Sequence, residues 1–277
     1  MQDYLNPRTF DKIQRYIKKP AHSLILSGQS MMGQDLLVDE LKEQLLGKIS
    51  TDPRATLDIE PIDDKSIGIE QIHQINSFMQ FKSGGSAVSK IIYINAVNGI
   101  TTESQNALLK IIEEPIAGTV FIAVVESDNE LLGTILSRSQ VIELLPLTLG
   151  QSSNLCTILP LAEKNKLFAL SAGRYDLLKS LLSDPKHLLF SQAETVKQFI
   201  KNTSYDRLTL AKEFESAEKL ETLINMSEII CKSALKTSST TTIDVWRKKL
   251  EVVINAKEML AVSVNNKILY TWLSLNL

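Results

Sequence analysis

KIIYINAVNGITTESQNALLKIIEEPIAGTVFIAVVESDNELLGTILSRSQVIEL, residues 90–144, is the stretch on which the architecture turns. Its apolar runs KIIYINAV (90–97) and GTVFIAVVES (118–127) read as buried strands, too short and too rich in β-branched residues for helices. Between them, TTESQNALLKIIEE (101–114) has the spacing of an amphipathic helix. Thr102 and Gln105 form its expected capping box, and Pro115 stops it. SQVIELLPL (139–147) is a short final strand. Strands alternating with helices imply a mostly parallel sheet with helices packed on its faces, an α/β fold.

The same alternation extends upstream. HSLILSG (22–28) is an apolar run ending in Gly28, and QDLLVDELKEQLLG (34–47) follows with Leu37, Leu41 and Leu45 at helical spacing and Gly47 as its close. An acidic loop with Pro53 and Pro61 comes next, then a helix in SIGIEQIHQINSFMQF (66–81) and a flexible connection in KSGGSAVS (82–89). Downstream of Leu147 the pattern turns helical. Residues 159–184 read as short helices and the remainder as longer ones, with KTSSTTT (236–242) as a loop between two of them. The expected boundaries fall near Pro146 and Pro185.

Composition excludes several classes. Of 277 residues, 44% are apolar and 22% charged, ordinary for a soluble globular chain, and the formal charge of −2 offers no global attraction to nucleic acid. No run approaches a membrane span, and the polar opening is not a secretory signal, so the cytoplasm is the expected compartment. Cys156 and Cys231 stand apart without a second ligand nearby, which suits buried thiols. His22, His73 and His187 lack metal-ligand spacing, and no metal is expected.

One loop invites closer reading. LSGQSMMGQD (26–35) places Gly28 and Gly33 at the spacing of a phosphate-binding P-loop, G-x-x-x-x-G-K-[ST], with Gln34 at the lysine position and Asp35 at the hydroxyl position. A nucleotide here would lack the charge-assisted bonds of a lysine, worth about 1.5–3 kcal/mol each. A carboxylate about 4 Å from a phosphate charge costs on the order of 4 kcal/mol at an effective dielectric near 20. The loop by itself is either a glycine-rich turn or a nucleotide fold that has lost its nucleotide.

The segment 90–144 resembles the bacterial DNA polymerase III clamp-loader family, its delta-prime members most of all. SQNALLKIIEEP matches the helix after the family's second nucleotide motif, and TILSRSQ matches its Ser-Arg-Cys motif with Ser139 in the cysteine's place. HSLILSGQSMMG, KSIGIEQI and the C-terminal AKEMLAVSVNNKILYTWLSL extend the likeness, weakly between 147 and 240. The resemblance implies an AAA+ α/β core over 1–146, a small helical lid over 147–185 and a helical collar for oligomerisation over 186–277. It also implies an ATPase-inactive subunit. The two acids that active members carry after the strand are Asn95 and Ala96 here, and the γ-phosphate sensor falls near Val125 and Glu126. Gly173 is followed directly by Arg174, with Asp176 in the later sensor position, so that role does not carry over. The family's four-cysteine zinc module is missing from GKISTDPRATLDIEP (47–61).

Arg138, flanked by Ser137 and Ser139, reads on its own as a surface arginine capping a helix C-terminus or pairing locally. The resemblance assigns it work as an arginine finger reaching ATP in the neighbouring subunit, a device that supplies about 10³–10⁵ in rate. The implied partners are motor subunits (gamma/tau) and the delta subunit in a hetero-oligomeric ring, with the sliding clamp and primer–template DNA met through the complex. ATP and magnesium would sit in the partner, none in this chain. Two other readings compete: a stand-alone divergent P-loop ATPase, and an AAA+-fold interaction module outside replication. Other polar clusters read as structure. Glu113 and Glu114 form a helix-end pair under the motif, Asp63-Asp64-Lys65 a solvated turn, and Arg247-Lys248-Lys249 a solvated helix face. Asn265-Asn266 is either a polar contact between collar helices or an exposed helix surface.

Overall fold

The structure is a computed structural model that describes residues 1–47, 54–63, 65–80, 88–214, 216–237, 240–262 and 264–277. The expected flexible connection over 82–89 and Asp64 of the expected turn therefore fall wholly or mostly outside the described residues. By contacts the chain divides into two compact units: Met1–Thr157 with Gly173–Leu177, and Ile158–Ala172 with Leu178–Leu277. The division expected from the sequence cuts elsewhere, separating 147–157 and 173–177 from the first unit.

The first unit is built on five parallel strands, β1 (Ser23–Ser27), β2 (Thr56–Ile59), β3 (Lys90–Ala96), β4 (Thr119–Val125) and β5 (Gln140–Glu143), in the order β2-β3-β4-β1-β5. Side chains alternate along each strand, so the two faces collect different cores. Leu24, Leu26, Ile91, Tyr93, Val120 and Ile122 pack with Ile13 and Tyr16 of α1 (Pro7–Lys18) and with Leu37 and Leu41 of α2 (Gln34–Leu46). Ile25, Ile92, Ile94 and Phe121 pack on the other face with Ile72 and Ile75 of α3 (Ile69–Met79) and with Leu108 and Ile112 of α4 (Thr102–Glu113). A sheet buried on both sides explains the unbroken apolar runs in the sequence.

In the first unit three local readings need correction. β2 lies inside the stretch read as an acidic loop; at four residues with Asp58 facing solvent, it has no periodicity to announce it, and pairing with β3 makes it a strand. The N-cap of α4 is Thr101 rather than Thr102: its backbone is extended and its hydroxyl accepts the Ser104 N–H at 3.2 Å. Gln105 makes no capping box. It is buried, donating to Ile100 O and Glu130 O and accepting from Leu132 N at 2.7 Å, which ties the start of α4 to the approach of α5 (Gly133–Leu136).

The unit also contains α6 (Leu149–Leu155), opened by a capping box of Thr148 and Gln151. In the second unit the elements are helical: α7 (Leu161–Ser171), then, after α8 (Tyr175–Ser183), α9 (Leu188–Lys201), α10 (Ser204–Thr209), α11 (Ala217–Thr237), α12 (Thr240–Ala261) and α13 (Asn266–Asn276). α11 ends at Thr237 and α12 begins at Thr240, both within the stretch KTSSTTT expected as a loop; 238 and 239 of that stretch lie outside the described residues. Asn265 is exposed and is the N-cap of α13, accepting from Lys267 N at 3.0 Å; of the two readings offered, this agrees with the exposed surface and adds the capping role. Lys249 is not on a solvated face as expected. It donates to Ile200 O at 2.9 Å, and burial lowers its pKa, with Arg207 adding to the effect.

Candidate functional site

The loop after β1 begins with a forced glycine. A Cβ on Gly28 would stand 2.8 Å from the Leu144 Cβ, so the close run of the loop past the end of β5 permits no side chain. Gly33, the N-cap of α2, has φ +87°, a left-handed backbone that glycine adopts without strain. Between them the loop is spanned from within. Gln34, at the lysine position, is buried; its Oε1 accepts from Met32 N–H at 2.7 Å and its Nε2 donates to Gln29 O. The Gly33 N–H donates to Asp176 Oδ2 at 2.8 Å, and the Asp176 N–H donates to Met31 O at 3.0 Å.

Asp35 sits in the first turn of α2. Although its side chain is exposed, desolvation by the surrounding protein, and after it the nearby carboxylates of Asp176 and Asp39, push its carboxyl above the usual range, with Lys42 opposing. A negative charge there complements the helix dipole, and the crowd of like charges works against it.

Register brings the remaining positions to the same edge. Ser27 of β1, Val125 of β4 and Ala96 of β3 are partners in one row across three neighbouring strands, at the carboxyl ends where ligands bind open α/β sheets. Ala96 is fully buried. Asn95 donates to Glu60 Oε2 at 2.7 Å and offers no second acid. Val125 is buried, whereas the Glu126 side chain is exposed; burial lowers the pKa of the partly buried Arg174, and Glu126 opposes that shift. Among the described residues no group of three or more His, Cys, Asp or Glu is placed to hold a metal ion.

Arg138 lies at the other edge. It follows α5 and precedes β5, and its neighbour Ser139 shares a 2.8 Å hydrogen bond with Ser23, the first residue of β1. The loop starts beyond the last residue of β1, so the length of that strand, about 13 Å for five residues, lies between them. The Arg138 side chain is 41% exposed. Its Nη2 pairs with Glu113 Oε1 at 3.0 Å, and its Nη1 donates to Thr134 O and to Ser137 Oγ at 3.1 and 3.2 Å. Ser137 in turn donates to Thr134 O at 3.0 Å. The structure thus brings Gly28, Gly33, Gln34, Asp35, Asn95 and Ala96 to one end of the sheet and Ser137, Arg138 and Ser139 to the other. The contact of Asp176 with the loop is not visible in the sequence, where the residue registers only as an unsuitable sensor.

Residues 5–148, just over half the chain, match the family described as "DNA polymerase III, delta subunit". The chain belongs to that family. One relative, "DNA polymerase III subunit delta'" of Haemophilus influenzae, is 36% identical over 84 residues; the match covers 30% of this chain and only 25% of that protein. Among solved structures, a DNA polymerase III gamma subunit-related protein from Thermotoga maritima aligns over 96% of this chain and 97% of its own, with 20% identity and a TM-score of 0.56. The Bacillus subtilis clamp loader delta protein aligns over 96% and 98% at 13% identity and a TM-score of 0.42. The fold is of the AAA+ type, with a parallel five-stranded sheet and a largely helical C-terminal part. No helix among the described residues is long and apolar enough to cross a membrane.

Proposed function

We propose that this DNA polymerase III delta-subunit family member is an ATPase-inactive, delta-prime-like stator of a cytoplasmic clamp loader that lends Arg138 to ATP bound by a neighbouring motor subunit. The observation that carries this reading is the separation of Arg138 from its own loop by the length of β1, with its side chain partly exposed. A cation so placed is out of reach of a phosphate on its own loop and available to one presented by another subunit. Ser139 in the cysteine's place keeps the motif anchored through Ser23, so the change to serine leaves the arginine's support intact.

The chain's own loop suits no nucleotide. Its lysine position is a buried glutamine bonded to the loop's own backbone, and the acid positions are an amide and a buried methyl group. No catalytic step is therefore assigned to it. In the assembled ring Arg138 would stabilise charge developing on the transferring phosphoryl oxygens, the helical C-terminal part would hold the subunit beside gamma/tau and delta, and the clamp and primer–template DNA would be met through the complex. Arg138→Ala in a complex reconstituted with the cognate motor should lower turnover at the facing site by about 10³ or more, with clamp loading falling in parallel and assembly retained. Unchanged ATPase activity in an intact complex refutes the finger role.

A further inference from the structure

We infer that Asp176 is the built-in anion of the loop: its carboxylate fills the place where a P-loop would hold a phosphate and keeps the 28–35 turn in a phosphate-loaded shape without nucleotide. The inference rests on the reading of an inactive pocket and gives it a cause beyond the missing lysine. A P-loop cradles phosphate with backbone N–H groups at the positive end of a helix. Here the Gly33 N–H, at the N-cap of the thirteen-residue α2, already donates to Asp176 Oδ2 at 2.8 Å. The Met32 N–H beside it donates to Gln34 Oε1 at 2.7 Å.

The contact is clamped from both sides. The Asp176 N–H returns to Met31 O, so the backbone of one segment pairs with the loop while its side chain caps the helix. Tyr175, the preceding residue, lies with its ring 5.4 Å from that of Tyr4, and both rings stand over Gly33. At the other end of the segment the Leu147 N–H donates to Gly173 O at 2.8 Å, in an approach so close that a Cβ on Gly173 would stand 2.6 Å from Leu147 O. Residues 173–177 belong to the first unit by these contacts although the helical residues on either side do not. The carboxylate at Asp35 then adds a second negative charge beside the first, which leaves no room electrostatically for a phosphate.

The test restores the loop with and without the internal anion, in the full-length chain, using titration calorimetry with Mg-ADP and with inorganic pyrophosphate as probes. Gln34→Lys with Asp35→Thr should bind neither probe measurably, and adding Asp176→Ala should tighten binding at least tenfold. Equal binding with and without Asp176→Ala overturns the inference and leaves the inactive reading of the natural chain standing; tight binding by the unaltered chain overturns both. A second measurement needs no gain of function. Hydrogen exchange at the Gly33 amide should speed at least tenfold in Asp176→Ala, with Asp176→Asn, which keeps an acceptor, in between. An unchanged rate in folded protein overturns the inference.

Discussion

Arg138 is held by contacts that are individually weak. An ion pair between two side chains exposed as those of Arg138 and Glu113 contributes about 0–1 kcal/mol, so the arrangement orients the guanidinium without committing the fold to it. Arg138→Ala should accordingly change the stability of the isolated chain by less than about 1 kcal/mol in urea denaturation; a larger loss would mark the residue as structural. Asp35 has the opposite character. A carboxyl pushed above its ordinary range in the fold ionises more readily in the unfolded chain, so its ionisation favours unfolding. Stability from this group is full below the ordinary carboxylate range near pH 4 and is lost as pH rises through the raised value. Asp35→Asn should melt above the natural chain at neutral pH, and the gap should close in acid. The residue types at 34, 35, 95, 96 and 138 are legible in the sequence because a motif fixes their positions. The partners of Gln34 and Arg138 are not, since a side chain's hydrogen bonds depend on the rotamer that packing leaves it.

Helices in this protein finish on cations as much as on glycines. The buried Arg207 donates to Phe199 O at 2.9 Å and Ile200 O at 3.2 Å in the last turn of α9, and to Ser274 O at 3.0 Å in the last turn of α13. The two helix ends supply partial negative charge in place of a carboxylate. Lys90, also buried, donates to Phe78 O at 2.9 Å near the end of α3, and burial lowers its pKa. Arg207→Met keeps much of the stem and leaves several buried carbonyls unpaired. It should cost about 3 kcal/mol or more in denaturant unfolding, with the loss located in α9 and α13 by hydrogen exchange. On α11, burial raises the Cys231 thiol to about 11, so it should resist alkylation at pH 8 until the chain unfolds, as mass spectrometry after a timed pulse would show. The helices α2, α3 and α4 and the inner strands were readable because each repeats its burial pattern several times, whereas α1 and α6 were not read from the sequence. The edge strand β2 and the cap at Thr101 were not, because each is settled by one or two bonds to a neighbour rather than by a period.

Across the whole molecule the charges nearly cancel, and the longest basic run, Arg247-Lys248-Lys249, has one member turned to a backbone carbonyl. Phosphate contacts supply most non-specific affinity for DNA, so the isolated chain should show duplex binding no tighter than about 10⁻⁴ M at physiological salt in fluorescence anisotropy. Tight binding there would mean that this subunit meets DNA by its own surface. The amino-acid order was sufficient for the α/β alternation and the parallel sheet, since these depend on residue type and on spacings of a few positions. Tertiary structure alone decided that Asp176 reaches Gly33 across 143 positions and that Ser139 meets Ser23 across 116. Such bonds form only where the folded path brings polar groups of two distant segments within about 3 Å, and no local pattern encodes that meeting.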